Sequence, residues 1–267
     1  LMKEAKRLGL SPYWEVDDLI FSKAHYLKNN NLSGLNKKER VQALWGVELF
    51  KECLLLCDGA IASTHKLAHI MQEFGMEKVF IIENALDRNT LSIIEKIKKN
   101  GVCSDHGHDE IRIVYGSGTK THDTDFQVAA KGIVAAMLAD KRLTLHIIGE
   151  LTLPKECNVL MSRIKRISIC DYESYMEHLS RADITIAPLE NSIFNDCKSS
   201  IKFIEGAVFS VPSICSPSAA YARIIQHGEN GFLAYTEHDW THALLTLAAN
   251  APLRRKMGVQ ACKDVYE

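Results

Sequence analysis

The sequence predicts an α/β protein built from two parallel-sheet domains, and two observations carry that prediction. Short apolar strands alternate with helical segments along the chain, and the alternation halts in a polar stretch near residue 105 before starting again. The length agrees, since 267 residues exceed one typical domain and fall short of two full ones. The first domain is the one expected to be incomplete. The chain opens with Leu1-Met2 inside one helical pattern and stops at Tyr266-Glu267 inside another, so it reads as a piece of a longer protein lacking the N-terminal start.

Taken in order, Met2–Leu8 reads as a helix fragment stopped by Gly9, and Tyr13–Val16 as a short strand ending in Asp17-Asp18. Residues 27–40 (LKNNNLSGLNKKER) are polar and turn-rich, which reads as a loop. Val41, Leu44, Val47, Phe50 and Leu54 follow at steps of three and four, so the spacing predicts a helix over Val41–Cys57. Gly59–Ala62 is a buried strand, Ser63-Thr64 supplies an N-cap, and helix His65–Phe74 is closed by Gly75. Strand Val79–Ile82 ends at Glu83-Asn84, and a charged helix covers Leu91–Lys99. The polar run NGVCSDHGHDE then marks the domain boundary by its composition.

In the second block the pattern predicts strand Ile111–Tyr115, the loop GSGTKTHDTD, helix Phe126–Leu138, and strands Leu143–Ile148 and Ile167–Cys170. Helix Glu173–Leu179, strand Ile184–Ala187, helix Lys198–Phe209 and strand Pro212–Ser216 come next. Helix Ala219–His227, the segment Gly231–Ala234 and helix Trp240–Ala249 complete it. Parallel sheets follow from this βαβ order, giving two Rossmann-like domains over residues 1–105 and 106–267. Such sheets bind ligands at the carboxyl ends of their strands, which singles out loops 116–125 and 188–199.

Charge and cysteine usage bound the function. Thirty-two Lys and Arg nearly cancel 33 Asp and Glu, a net charge of −1 that gives no global electrostatic case for nucleic acid or an anionic membrane. A local basic site for a phosphorylated ligand stays open. The eight cysteines form no CxxC pair, and a chain of this length needs no disulfide staples, so reduced thiols in the cytoplasm are the better reading. The apolar runs are far shorter than a membrane span, and no signal peptide is visible.

The loop Gly116-Ser117-Gly118-Thr119-Lys120-Thr121-His122 places glycines after a strand, where the backbone can approach a phosphate. It matches neither GxGxxG nor a P-loop, and a plain strand-to-helix turn fits it equally well. Lys198, Lys202 and Glu205 are spaced by four and three, which puts them on one helix face, with Lys198 opposing the dipole at the helix start. A bound diphosphate explains that placement; a solvated charge cluster is the plainer alternative. His65 and His69 share a helix face but lack a third metal ligand, so a capped amphipathic helix is preferred there. His106-Gly107-His108 reads as polar linker, and Asp17-Asp18 as an acceptor-side pair rather than a metal site.

Five segments in order, IVYGSGTKTHDTDF, LTLHIIGE, YMEHLSRADITIAPL, FNDCKSSIKFIEGAVFSVPSICS and IIQHGENGFLA, make residues 111–234 resemble the donor-binding domain of a GT-B glycosyltransferase, most like glycosyltransferase family 4 (group 1). The specific part is a strand ending in APL, a polar loop, KSxxKxxE, a small-residue turn and VPxxxS. GSGTxTHxxDF is similar to the subgroup that builds bacterial surface polysaccharides. Upstream, EVDDLIF, CDGAIASTHKLA and KVFIIENALD resemble the late part of the acceptor-side domain. Residues 1–105 thus become a partial acceptor-side domain with its linker, and 106–267 the donor domain.

The resemblance implies roles position by position. Glu205 matches the second glutamate of the family's E-x7-E motif, which accepts hydrogen bonds from ribose hydroxyls, while Cys197 replaces the first. Lys198 becomes the cation that stabilises the departing diphosphate, and with Glu205 forms the catalytic pair. Gly116, Ser117, Gly118 and Thr119 line the diphosphate, His122 and Asp125 stand at the following helix start, and Lys120 substitutes for the usual basic residues of this loop. Tyr172 is placed to contact the base, and Asn195, Ser199 and Lys202 complete the donor contacts.

The implied reaction moves a sugar from a nucleotide-diphosphate sugar to a glycan, lipid-linked or protein acceptor, with retention and without a metal or other cofactor. The implied setting is cell-surface polysaccharide or glycoconjugate synthesis in the cytoplasm or at the inner membrane face, with peripheral association through segments outside this chain and no nucleic-acid partner. Two other readings stay open: a GT-B nucleotide-sugar epimerase, and a non-catalytic sugar-nucleotide or glycan-binding module of a larger protein.

Overall fold

A computed structural model describes residues 1–28, 36–101, 109–118 and 122–267 of the chain. Along it run α1 (Met2–Arg7), β1 (Tyr13–Val16), α2 (Lys23–Tyr26), α3 (Lys37–Leu56), β2 (Gly59–Ala62), α4 (His65–Glu73) and β3 (Val79–Ile81). Then come α5 (Arg88–Lys99), β4 (Ile111–Gly118), α6 (Asp123–Ala139), β5 (Leu143–Gly149), a 3-10 helix (Lys155–Arg163), β6 (Ile164–Ile167), α7 (Tyr172–Ser180) and β7 (Ile184–Ala187). The rest is α8 (Ile193–Asp196), α9 (Ile201–Ala207), β8 (Ser213–Cys215), α10 (Ala219–Ile224), β9 (Gly231–Leu233), α11 (Glu237–Ala249) and α12 (Ala251–Tyr266). Two units emerge. The first holds Leu1–Asn84, Asn191–Ser199 and Ser218–Ala220; the second holds Ala85–Glu190, Ser200–Pro217 and Tyr221–Glu267. This division differs from a single cut near residue 105, because α5 goes with the second unit and two later segments go with the first.

In the first unit β1, β2 and β3 form a parallel sheet in that order, with Tyr13 opposite Gly59 and Ala62 opposite Ile81. Its core gathers Leu19, Phe21, Leu54, Leu67, Ile70 and Met71, with Phe21 edge-on to both Trp14 and Phe74. Helix α3 starts earlier than its apolar spacing indicates. The Asn36 side chain accepts from Lys38 and Glu39, and Glu39 reaches back to the Asn36 N–H, a reciprocal cap that corrects the loop expected over 27–40. Residues 29–35 of that loop lie outside the described residues. Thr64 caps α4 as expected, its hydroxyl accepting from Leu67 N (3.2 Å), and Gly75 ends the helix at φ +95°.

The helix expected over Lys198–Phe209 is corrected to α9, Ile201–Ala207, with a bend between it and the short α8 before it. Cys197 is buried in the first unit's core, and its carbonyl accepts from the Thr64 hydroxyl (3.0 Å). That anchoring stops α8 at Asp196, and α9 begins only at Ile201. Lys198 therefore lies on the bend in the first unit rather than at a helix start, and it shares no helix face with Lys202 and Glu205, which α9 carries in the second unit.

The second unit is a six-stranded parallel sheet in the order β6-β5-β4-β7-β8-β9. Counted from its own first strand, that is the doubly wound order 3-2-1-4-5-6. Alternation along β4 and β5 feeds two cores. Ile113, Tyr115, Leu145 and Ile147 meet Phe126, Ile133, Trp240 and Leu244, while Val114 and Ile148 meet Met176 and Leu179. Strand β7 is buried along its whole length because helices cover both faces of a parallel sheet.

Strand β6 corrects the expected Ile167–Cys170: Ile164 to Ile167 pair with Leu145 to Ile148 instead. As an edge strand it needs only one covered residue, Ile164, and so carries little apolar signal. The apolar Ile169 is exposed (69%) in the turn beyond.

Candidate functional site

The order of the second sheet reverses between β4 and β7, so the crevice at their carboxyl ends is the place such a sheet offers a ligand. A cavity of about 380 Å³ opens beside it, at the carboxyl end of β4. Strand β4 runs past the expected Tyr115 to Gly118, so the loop expected over 116–125 begins later. Gly118 and Gly149 have φ of +70° and +97°, and a Cβ on Gly149 would stand 2.8 Å from the Gly118 backbone. Glu150 N donates to Gly118 O (3.2 Å), and the Ser117 hydroxyl donates to Glu150 O. The ends of β4 and β5 are thereby tied backbone to backbone.

On one side of this floor, His122 Nδ1 lies 3.1 Å from Asp125 Oδ2. Asp125 is fully buried at the start of α6, where the helix dipole favours a carboxylate, and its other oxygen accepts from Glu190 N (3.0 Å). From α9, the Lys202 ammonium donates to Gly116 O and stands 5.1 Å from the centroid of the Tyr115 ring. The remaining wall is half-apolar, with Ile148, Ile169, Cys170, Tyr172 and Tyr175.

Glu205 is 7% exposed and is not among the lining residues. Its Oε1 accepts from the Tyr172 hydroxyl (3.1 Å) and its Oε2 from the Tyr175 hydroxyl (3.0 Å). Burial raises the carboxyl above its ordinary pKa, against the pull of the two hydroxyls and the Lys202 charge. Gly116 is open where Tyr175 needs it to be, since a Cβ there would lie 2.8 Å from the Tyr175 ring.

Of the expected site residues, Gly116, Ser117, Gly118, His122, Tyr172 and Lys202 line this cavity. Asp125 and Glu205 touch its lining residues from behind. Thr119 and Lys120 lie outside the described residues. Asn195, Lys198 and Ser199 belong to the first unit. There Asn195 is buried, Ser199 Oγ accepts from Asn84 Nδ2 (3.0 Å), and Lys198 Nζ stands 5.5 Å from the Phe194 ring centroid. Cys197, at the position of the motif's first glutamate, is packed as a small hydrophobe, and burial pushes its thiol up to about 12.

The sequence reading missed Tyr175, Cys170, Ile169, Ile148 and Gly149. Tyr175 had a signal, because it sits three residues beyond Tyr172 on the same helix face. His69 pairs with Glu73 (3.2 Å), and among the described residues no group of three His, Cys, Asp or Glu is placed to hold a metal. No helix among them is long and apolar enough to cross a membrane.

An apolar wall with aromatic rings, a lysine and a His–Asp pair around a glycine floor suits a ligand with a flat base at one end and anionic oxygens at the other. Residues 112–250, a little over half of the chain, match the family described as Glycosyl transferases group 1. No curated protein matches the sequence. Among solved structures, a TarM variant from S. aureus, in complex with fondaparinux, alpha-GlcNAc-glycerol and UDP, is 14% identical with a TM-score of 0.66, over 96% of this chain and 47% of that one.

Anabaena HepE, in complex with UDP and glucose, is 15% identical with a TM-score of 0.67, over 99% and 69%. The pneumococcal O-GlcNAc transferase GtfA, in complex with UDP and GlcNAc, is 13% identical with a TM-score of 0.64, over 99% and 50%. The chain thus spans about half the length of TarM and GtfA. At these identities the likeness is one of fold, the GT-B arrangement of Rossmann-like units.

Proposed function

The chain belongs to the group 1 glycosyl transferases, and from that premise we propose that its second unit binds a nucleotide-diphosphate sugar in the cavity at the carboxyl ends of β4 and β5, as donor for transfer to a glycan, lipid-linked or protein acceptor. The observation that carries this reading is the pairing, around one cavity, of Lys202 and the His122–Asp125 dyad with the Tyr172–Tyr175 wall. The diphosphate is the leaving group, and the negative charge it develops is the main electrostatic demand of the reaction. Lys202, which lines the cavity, is the described lysine that supports this reading. The bound uridine nucleotides of TarM, HepE and GtfA make UDP-sugars the first donors to try.

Retention at the anomeric carbon, independence of metal, and a place in cell-surface glycoconjugate synthesis complete the proposal and rest on the resemblance. A thermal-shift panel of nucleoside diphosphates and their sugars, followed by transfer assays in EDTA with NMR of the product anomer, tests it. Stabilisation by one nucleotide family and EDTA-resistant transfer with retention are expected. No shift with any nucleotide contradicts the donor site, and binding without transfer in the longest available chain favours a non-catalytic module.

A further inference from the structure

His122 stands at the N-cap position of α6, yet its side chain makes no capping hydrogen bond to that helix. It lines the cavity, with Nδ1 turned to Asp125 Oδ2 at 3.1 Å. The other oxygen of Asp125 takes the Glu190 N–H at 3.0 Å, and a place in the first turn of α6 favours the ionised carboxyl. A carboxylate only accepts, so the ring's proton sits on Nδ1, and Nε2 lies on the far side of the ring from Asp125. A neutral ring held this way offers a ligand a lone pair. A diphosphate oxygen also offers lone pairs, so the two can be joined only by a proton on Nε2. We propose that Asp125 is a positioning residue that locks this tautomer, and that His122 takes up a proton as the diphosphate binds, which couples donor affinity to pH. This rests on the nucleotide reading of the cavity and adds a titrating ligand beside the Lys202 ammonium.

The surroundings suit such a coupling. The Asp125 side chain has no exposure and that of His122 is 24% exposed, so the ion pair formed on protonation is shielded while the ring still reaches the cavity. The charged residues on the elements around the ring are Asp123 and Asp125 of α6, Glu150 after β5, Glu190 after β7 and Lys202 of α9. Asp123 is engaged elsewhere, accepting from Thr152 N (2.9 Å). Burial keeps Cys170, Tyr172 and Tyr175, which line the same cavity, uncharged near neutrality. Lys202 disfavours a second cation beside it, and a bound diphosphate reverses that balance. An ordinary imidazole titrates at about pH 6.5, so the exchange falls near neutrality. Donor affinity is highest where the free ring is already charged. It falls as the pH rises from the titration of the free ring to that of the bound one, and in that window each binding event draws a proton from solvent.

The test is calorimetry on the chain with UDP-glucose, whose diphosphate is esterified at both ends and does not titrate near neutrality. In buffers of different ionisation enthalpy, the wild-type chain is expected to take up a proton on binding, and its affinity to fall several-fold between about pH 6 and about pH 8. His122→Gln is expected to abolish the uptake and flatten the profile. Asp125→Asn, which keeps an acceptor and removes the charge, is expected to move the fall in affinity to lower pH, which a loss of packing alone would not do. Should Asp125→Asn fail to fold, His122→Gln decides alone. The His122 ring-proton NMR resonance, assigned by its absence from His122→Gln, is expected to titrate at higher pH with UDP-glucose bound. An unmoved midpoint, a wild-type affinity indifferent to pH, or an uptake that persists in His122→Gln overturns the coupling while the nucleotide site stands. If the chain binds UDP but not UDP-glucose, the same comparisons between wild type and variant are read with UDP, whose own titration is common to both. A wild-type chain that binds neither removes the nucleotide reading itself.

Discussion

Lys202 and Lys198 share a residue type and a short stretch of sequence, yet the fold gives them different surroundings. Lys202 lines the cavity of the second unit and donates to Gly116 O, whereas Lys198 is carried by the first unit beside Phe194. Lys202→Met keeps the length of the stem and removes the charge, so it should weaken both UDP and pyrophosphate by tenfold or more in calorimetry. Equal affinities would dismiss Lys202 as a phosphate ligand. Lys198→Ala should leave UDP affinity within twofold, since Lys198 is not among the residues that line that cavity. A weakened UDP affinity would instead give Lys198 a ground-state contact.

At the scale of elements, α7 delivers the tyrosines, and its first turn depends on Asp171, whose carboxyl is held below the usual range by hydrogen bonds from the Ser174 N–H and hydroxyl. Asp171→Ala should therefore lower Tm by a few degrees and raise donor KM more than it changes kcat; an unchanged KM would show that the cap does not govern the tyrosine wall.

The interior strands of both sheets were readable because burial on both faces writes a continuous apolar run. Gly59–Ala62 and Ile184–Ala187 stand where the sequence predicts them. Edge strand β6 was displaced because Ile164 alone is covered, and the 3-10 helix over Lys155–Arg163 buries only Cys157 and Leu160, one apolar step that is too short to read. The break between Lys198 and α9 was invisible for another reason. It depends on Thr64, 133 residues upstream of Cys197, reaching that carbonyl, which no local spacing encodes. The candidate site followed the same rule: glycines, His122 and Lys202 were visible as local motifs, while the partners of Glu205 come from another helix.

For the whole molecule, one network on the second unit couples stability to pH. Glu110 is destabilised by partial burial, but hydrogen bonds from Lys165, Arg112 and Thr144 win and hold its carboxyl at about 2. Burial, with the charges of Lys165 and Arg112, lowers His146 to about 4. Between pH 6.5 and about 4 an unfolded His146 binds a proton that the folded one refuses, so stability falls as the pH drops through that window. From pH 4.5 to about 2 the Glu110 network adds a loss of the same sign. Glu205, raised by burial, works in the opposite direction. His146→Gln should lessen the fall of Tm between pH 6.5 and 4, and an unaltered slope would rule out a part for His146 in it.

On the reading proposed here, the nucleotide binds in the cavity at the carboxyl ends of β4 and β5. A crystal structure of the chain grown with UDP tests it most directly. The diphosphate is expected within hydrogen-bond distance of Lys202 Nζ and the uracil against Tyr172. UDP bound elsewhere on the chain, with that cavity empty, would contradict it.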